Sequence, residues 1–149
     1  MGELFPSALP VIGRTPLVRL NSLTKGMAAE IFVKLEYKNP LGSVKDRIAA
    51  AMISAAETMG RLDPDGLIVE PTSGNTGLGL ALIAAVKGLR LVLTMPETMS
   101  VERRTLLKHL GAELVLTPGP LGMKGALSEA ERILAAEPKA FMPNQFSNP

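Results

Sequence analysis

Cysteine and tryptophan are missing from this 149-residue sequence, and histidine and tyrosine occur once each. Without cysteine the chain has no disulfide, no thiolate nucleophile and no cysteine–zinc site. A single histidine, His109, also argues against a histidine metal cluster, so we expect no metal site. Aromatic residues are limited to four Phe and one Tyr although 46% of the residues are hydrophobic, so the core of this single domain must be mainly aliphatic.

Neither sign of charge dominates, and long apolar runs are absent. Sixteen basic and fourteen acidic residues are scattered along the chain, and the longest basic run is Arg103-Arg104, which argues against nucleic-acid binding. No apolar run reaches about 18 residues, and no basic leader precedes an apolar stretch. We therefore expect neither a membrane span nor a signal peptide, and a soluble cytoplasmic protein.

Helix-like and strand-like segments alternate from residue 44 onward. Short apolar runs predict strands at 67–70, 91–94, 114–117 and 140–142, and the longer segments predict helices at 44–59, 75–87, 102–110 and 121–136. Ser100 is expected to cap the third helix, and Gly88 and Gly111 are expected to end helices. Because the strands are continuously apolar, the predicted fold class is α/β, with a parallel twisted sheet covered by helices on both faces.

A lysine stands at a predicted helix start in residues 39–47 (N-P-L-G-S-V-K-D-R). Ser43 and Asp46 have the spacing of a capping box, which places Lys45 two positions inside the helix. The helix dipole disfavours an ammonium there by about 0.3–1 kcal/mol, and a neutral amine is the form that attacks a carbonyl. A surface lysine beside a helix cap fits the same residues. Asp46 and Arg47 are interpreted as cap and helix surface.

A second loop, residues 71–77 (P-T-S-G-N-T-G), again joins a predicted strand to a predicted helix. Backbone N–H groups at a helix start bind carboxylate or phosphate, and glycine lets the backbone approach a ligand closely. The spacing is neither that of a dinucleotide fingerprint nor that of a nucleotide P-loop. The loop therefore indicates an anion site, and an ordinary strand-to-helix turn stays open as the alternative.

Residues 39–47 resemble the lysine motif of the cysteine synthases, and residues 71–77 resemble their asparagine loop. Six further stretches resemble the same family in the same order: 12–17, 96–100, 102–104, 111–113, 122–126 and 144–149. Each motif is shared with related pyridoxal-phosphate lyases of the tryptophan-synthase-β-like fold type II. The complete set is typical of O-acetylserine sulfhydrylase. Leu41 is a departure, since a smaller residue is usual at this position.

The resemblance implies a cofactor, a reaction and a role for each motif. Pyridoxal 5'-phosphate would be held as an imine by Lys45, which would also move the proton at the substrate α-carbon, and Asn75 would hydrogen-bond the cofactor ring oxygen. Sulfide would replace the acetate of O-acetyl-L-serine to give L-cysteine. The substrate carboxylate would be bound by Thr72, Ser73, Gly74, Asn75, Thr76 and Gln145. Gln145, close to the end of the sequence, is expected to be frayed.

The resemblance also implies a larger assembly. Members of the family are considerably longer, so we expect this sequence to be the N-terminal half of an enzyme, inactive by itself. In segment 1–40, strands at 17–20 and 31–35 would join the sheet of a larger domain that is absent here. Residues 41–149 would form the smaller α/β domain, which carries both loops. The implied partners are a second copy in a homodimer and serine acetyltransferase.

Two other hypotheses stay open. The chain could belong to a sibling lyase, such as cystathionine β-synthase or a serine/threonine dehydratase, although the stretches 96–104 and 122–126 favour a cysteine synthase. Alternatively, it could be a non-catalytic α/β domain that packs against a partner or binds an anion.

Overall fold

Two separate sheets contain the strands of the computed structural model, which describes residues 3–148. In the first, β1 (Leu17–Arg19) pairs antiparallel with β2 (Phe32–Lys34). The second is a parallel sheet in the order β5-β4-β3-β6, built from β3 (Leu67–Pro71), β4 (Arg90–Pro96), β5 (Glu113–Thr117) and β6 (Ala140–Phe141). The first two residues of segment 1–40 and the last residue of stretch 144–149 lie outside the described residues.

Within residues 3–148, four α-helices connect the strands: α1 (Lys45–Thr58), α2 (Asn75–Lys87), α3 (Val101–His109) and α4 (Gly122–Ala136). Helix α2 has the bounds that the sequence predicts, and it ends at Gly88, which adopts the left-handed conformation with φ +71°. Helix α3 is capped by Ser100, whose Oγ accepts the N–H of Arg103, as predicted. The other elements differ from prediction by one or two residues at their ends, where helices and strands fray.

Side chains of the central strands alternate between two hydrophobic cores. Ile68 of β3 and Leu93 of β4 pack with α1, α2 and α3 on one face of the parallel sheet. Val69 and Val92, their neighbours along the strands, pack with Ala130 of α4 on the opposite face. Because strand side chains alternate, an apolar run with helices on both faces is buried on both sides. The predicted α/β fold class is confirmed.

The two predicted N-terminal strands pair with each other and stay outside both cores. Leu17 is 63% exposed and Phe32 52% exposed, although both are apolar. Their assignment to the sheet of a second domain stays a prediction. Over residues 3–148, no helix has the length and apolar character needed to cross a bilayer.

Helices α1 and α2 approach each other closely at Gly79. A Cβ atom at this position would lie 2.8 Å from the carbonyl oxygen of Lys45 and 3.0 Å from the Cβ of Ala49. Gly79 lies one turn after Asn75, about 6 Å along the axis of α2. The start of α1 therefore packs against the first turns of α2, and the two loops found in the sequence become neighbours.

Gly79→Ala tests this contact. Over-packing costs about 1–3 kcal/mol, and the higher helix propensity of alanine returns only about 0.5–1 kcal/mol. We expect a net loss of unfolding free energy because the nearest atoms, a backbone carbonyl oxygen and the Cβ of Ala49, can move only if α1 itself moves. Urea unfolding measures it, with Ala85→Ser at an exposed position of α2 as the control. A Gly79→Ala protein as stable as the control would contradict the close approach.

Candidate active site

Lys45 is the first residue of α1, and its side chain is partly buried. Ser43 Oγ accepts the N–H of Lys45 at 3.1 Å, so the serine does satisfy a free donor at the helix start. The predicted capping box is wrong in both of its bonds, and the N-cap of α1 is Val44 rather than Ser43. Ser43 Oγ meets the N–H of Lys45 and not that of Asp46, and Asp46 Oδ2 accepts the N–H of Leu41 at 2.7 Å. Gly42, with φ +74°, turns the chain so that Leu41 faces the carboxylate. Lys45 accordingly lies at the first helical position rather than two positions inside.

Asp46 is fully buried directly after the lysine. Burial raises the pKa of Asp46, and the hydrogen bond from the N–H of Leu41 opposes that shift. Its second oxygen, Oδ1, has no hydrogen-bond partner within residues 3–148. The Asp46 carboxylate ties the turn before α1 to the helix start, and so it restrains the backbone that carries Lys45.

Arg47 joins the helix start to the N-terminal segment. Its guanidinium makes a bidentate contact with Glu36, with Nε at 2.8 Å from Oε2 and Nη2 at 3.1 Å from Oε1. Nη2 also donates to Thr15 Oγ1 at 2.9 Å, and Thr15 donates to Glu36 Oε1 at 2.7 Å. The interpretation of Arg47 as helix surface was therefore wrong, because tertiary packing brings Thr15 and Glu36 to it.

Asn39 extends this network to the glycine of stretch 12–17. Its Nδ2 donates to Glu36 Oε2 at 2.9 Å, and its Oδ1 accepts the N–H of Gly13 at 2.9 Å. Hydrogen bonds from Arg47 and then Thr15 lower the pKa of Glu36 from 4.5 to about 2, against the opposing effect of burial. The N-terminal stretch and the lysine motif are thus held together by one ionised carboxylate.

The loop 71–77 connects β3 to the start of α2. Thr72 Oγ1 accepts the N–H of Gly74 at 3.4 Å, and Arg103 of α3 donates to the carbonyl oxygen of Ser73 at 3.1 Å. At the helix start, the N–H of Leu78 donates to the carbonyl oxygen of Gly74. Within the described part of the chain, the N–H groups of residues 75–77 have no acceptor. These donors and the positive end of the helix dipole suit a carboxylate or phosphate.

Gln145 is held against this loop. Its side-chain Oε1 accepts the hydroxyl of Thr76 at 2.6 Å. Its backbone N–H donates to Glu70 Oε1 at 3.2 Å, and the N–H of Asn144 donates to Glu70 Oε2 at 2.8 Å. The prediction of a frayed Gln145 was wrong, because contacts made across 69 and 75 positions of the chain restrain it.

Glu70 is a site residue that the sequence analysis missed. It is 2% exposed at the end of β3. Burial raises the pKa of Glu70, and the backbone N–H groups of Asn144 and Gln145 oppose that shift. A charged residue inside an otherwise buried apolar strand was the available signal, since such a group needs hydrogen-bond partners.

The structure places two pairs of these segments in contact, and the shared site of the predicted residues stays a prediction. Lys45 is linked to α2 through Gly79, and Thr76 contacts Gln145. Asn75 is exposed at the first position of α2, and no described residue hydrogen-bonds its side chain. The described residues contain no group of three His, Asp or Glu side chains placed to hold a metal ion. The start of the lysine-bearing helix thus packs against the helix that follows the loop 71–77, an arrangement that suits a carbonyl-bearing anionic cofactor and an amino-acid substrate.

Comparison with known proteins agrees with this chemistry. The family model described as "Pyridoxal-phosphate dependent enzyme" matches residues 8–149, and the chain therefore belongs to this family. Pyridoxal phosphate is the cofactor of the family, as the sequence predicted.

The relatives by name are cysteine synthases or similar enzymes. Cysteine synthase from Staphylococcus aureus is 59% identical over 139 residues, which are 93% of this chain and 44% of the relative. The crystal structure of cysteine synthase from Entamoeba histolytica is 45% identical with a TM-score of 0.93, and the match covers 99% of this chain and 45% of that one. A hydrogen sulfide-producing enzyme from Fusobacterium nucleatum is 49% identical with a TM-score of 0.89, over 99% of this chain and 48% of that one. The chain spans about half the length of the curated relatives it matches.

Acid unfolding tests the network around Glu36. Its folded pKa lies below its value of 4.5 in a free side chain, so its contribution to stability is complete above that value and is lost as pH falls toward about 2. We expect the unfolding free energy to fall less between about pH 5 and about pH 3 in Glu36→Gln than in the unaltered protein. Glu102→Gln, at an exposed position of α3, should lose as much unfolding free energy over this pH range as the unaltered protein. Equal pH dependence in both variants would contradict the assignment.

Proposed function

We propose that the protein carrying this chain is a cysteine synthase, which replaces the acetate of O-acetyl-L-serine with sulfide to give L-cysteine. The observation that supports this most is the contact at Gly79, which places the backbone of Lys45 beside the anion-binding start of α2. The names of the S. aureus and E. histolytica relatives point to the same reaction.

The residues present fit pyridoxal phosphate. Lys45 offers a partly buried primary amine at a helix start. Asn75, exposed at the start of α2, offers a side-chain amide to the cofactor ring. When bound, the cofactor supplies an electron sink for the carbanion formed at the substrate α-carbon.

Each side chain then has a separate task. Lys45 binds the cofactor covalently and afterwards carries the proton removed from the substrate α-carbon. The substrate carboxylate is bound by the free N–H groups at the start of α2 together with Thr72, Ser73, Gly74, Asn75, Thr76 and Gln145. A hydrogen bond to a charged group contributes about 1.5–3 kcal/mol, so two or three such donors suffice to orient an amino acid.

The F. nucleatum relative favours a second candidate function. That protein is named as hydrogen sulfide-producing, and the match with it covers 99% of this chain. The same amine and carboxylate site could release sulfide from L-cysteine, because β-elimination requires the same proton removal. Cystathionine β-synthase activity, in which homocysteine is the nucleophile in place of sulfide, would use the same lysine and the same loop 71–77. The homodimer, the serine acetyltransferase partner and the cytoplasmic location stay predictions from the family resemblance.

A substrate panel with the complete protein separates these functions. With O-acetyl-L-serine as the first substrate, we expect turnover with sulfide to exceed turnover with homocysteine by at least about tenfold, since a pocket built for a small nucleophile excludes a longer one. Chromatographic detection of L-cysteine and cystathionine provides the measurement. Faster sulfide release from L-cysteine than synthesis of L-cysteine would favour the second candidate.

Lys45→Ala tests the lysine assignment. The complete protein with added pyridoxal phosphate should show the visible absorption of lysine-bound cofactor, and borohydride should fix the adduct on the peptide that contains Lys45. Lys45→Ala should lose both signals because no amine remains at that position. Lys108→Ala, at an exposed position of α3, should retain both. A borohydride-fixed adduct on another lysine in Lys45→Ala would overturn the assignment.

Asn75→Ala tests the contact with the cofactor ring. The variant should keep bound cofactor because Lys45 is unchanged, but removal of the α-proton should slow by about tenfold for the loss of one hydrogen bond. Release of deuterium from α-deuterated O-acetyl-L-serine follows this step directly. Unchanged deuterium release would count against the ring contact.

A further inference from the structure

The buried carboxylate of Glu70 has no part in the reaction described above. Glu70 is 2% exposed in a strand whose preceding residues, Leu67, Ile68 and Val69, belong to the two hydrophobic cores. Removing an ionised carboxylate from water costs several kcal/mol unless good hydrogen bonds replace the water. The hydrogen-bond partners of Glu70 therefore indicate which segment of the chain this buried carboxylate holds in place.

Both oxygens of Glu70 accept backbone N–H groups of the segment that follows β6. Ladder pairing between β3 and β6 covers only Leu67 with Ala140 and Ile68 with Phe141. Pro143 lies beyond these pairs and has no N–H to donate to a ladder. From that point the Glu70 side chain holds the segment after β6 to β3, with Oε2 at 2.8 Å from Asn144 N and Oε1 at 3.2 Å from Gln145 N.

The segment held in this way is a closed turn. Asn144 has φ +50°, a conformation that asparagine tolerates, and its carbonyl oxygen accepts the N–H groups of Ser147 at 2.9 Å and Asn148 at 3.0 Å. Gln145 leaves the turn toward α2, where its Oε1 accepts the Thr76 hydroxyl at 2.6 Å. The turn is thus attached twice, through its backbone to Glu70 and through one side chain to Thr76.

We propose that Glu70 is a positioning residue, which sets Gln145 against Thr76 and thereby assembles the carboxylate-binding site of the substrate. This inference rests on the proposed function. Glu70 directly precedes the loop 71–77. The end of β3 therefore carries both this loop and the side chain that holds Gln145 against it. The distance between the two sides of the site is then set by one side chain.

The geometry of the anchor uses both oxygens of the Glu70 carboxyl group as acceptors, one for each backbone N–H. Burial raises the pKa of Glu70, and the N–H groups of Asn144 and Gln145 oppose that shift. In Glu70→Gln, the side-chain NH₂ group would face one of the two N–H groups, and a donor would meet a donor. Glu70→Asp keeps the charge, but it is one methylene shorter and reaches the two N–H groups less well.

Hydrogen exchange measured by mass spectrometry on the complete protein tests the anchor without any turnover. In Glu70→Gln, amides in a peptide covering 142–148 should exchange about tenfold faster or more, and amides of β4 should be unchanged. Glu70→Asp should show a smaller increase. Sodium acetate, as the carboxylate probe, should slow exchange in a peptide covering 72–78 in the unaltered protein and less so in Glu70→Gln. Glu113→Gln, which alters an exposed glutamate of β5, is the control and should behave as the unaltered protein.

Steady-state kinetics and a double-mutant cycle distinguish positioning from general stability. In Glu70→Gln, the KM for O-acetyl-L-serine should rise about tenfold with a much smaller change in kcat, as in Gln145→Ala. The KM of the double variant should be no higher than that of Gln145→Ala, because Glu70 acts through Gln145.

Two outcomes would overturn the proposal: unchanged exchange at 142–148 in both Glu70 variants, or independent, multiplicative effects on KM in the double variant. If the unaltered protein does not use O-acetyl-L-serine, the proposed function fails, and the exchange and acetate measurements still decide the role of Glu70.

Discussion

The close approach of α1 and α2 at Gly79 is the constraint on which the rest of the site depends. With no side chain at this position, the carbonyl oxygen of Lys45 can lie against α2 one turn from Asn75. Any Cβ there would separate the helices by a few tenths of an ångström or more, and a packed core transmits such a shift. Through this contact, two features that are separate in the sequence, the start of the lysine-bearing helix and the helix that follows the loop 71–77, lie side by side.

Two carboxylates then fix the segments around that site. Glu36 connects stretch 12–17 to the lysine motif through Thr15, Asn39 and Arg47, and Glu70 connects the last turn of the described chain to the asparagine loop. The environments differ, since partners lower the pKa of Glu36, whereas burial raises that of Glu70. In both cases, hydrogen bonds to a buried or half-buried charge hold segments that lack regular secondary structure.

Local patterns predicted most elements and failed where the partner was distant in sequence. Ser100 capping α3 and Gly88 ending α2 were predictable because each acts within four residues. The capping role of Asp46 was wrong in its partner, because the turn at Gly42 determines which N–H the carboxylate meets. Arg47 and Gln145 were misjudged for the same reason, since their partners lie at least 11 positions away in the chain.

The sequence by itself determined the periodicity, the helix and strand order, the lysine at a helix start and the strand-to-helix position of loop 71–77, for which it predicts an anion site. These follow from interactions between residues a few positions apart, which a linear pattern records. Only the tertiary structure decided that Lys45 lies beside α2, that Glu70 anchors Gln145 and that Gln145 meets Thr76. Those contacts arise where the end of a parallel strand adjoins helix starts, and their energies depend on burial and hydrogen-bond geometry that the sequence pattern does not contain.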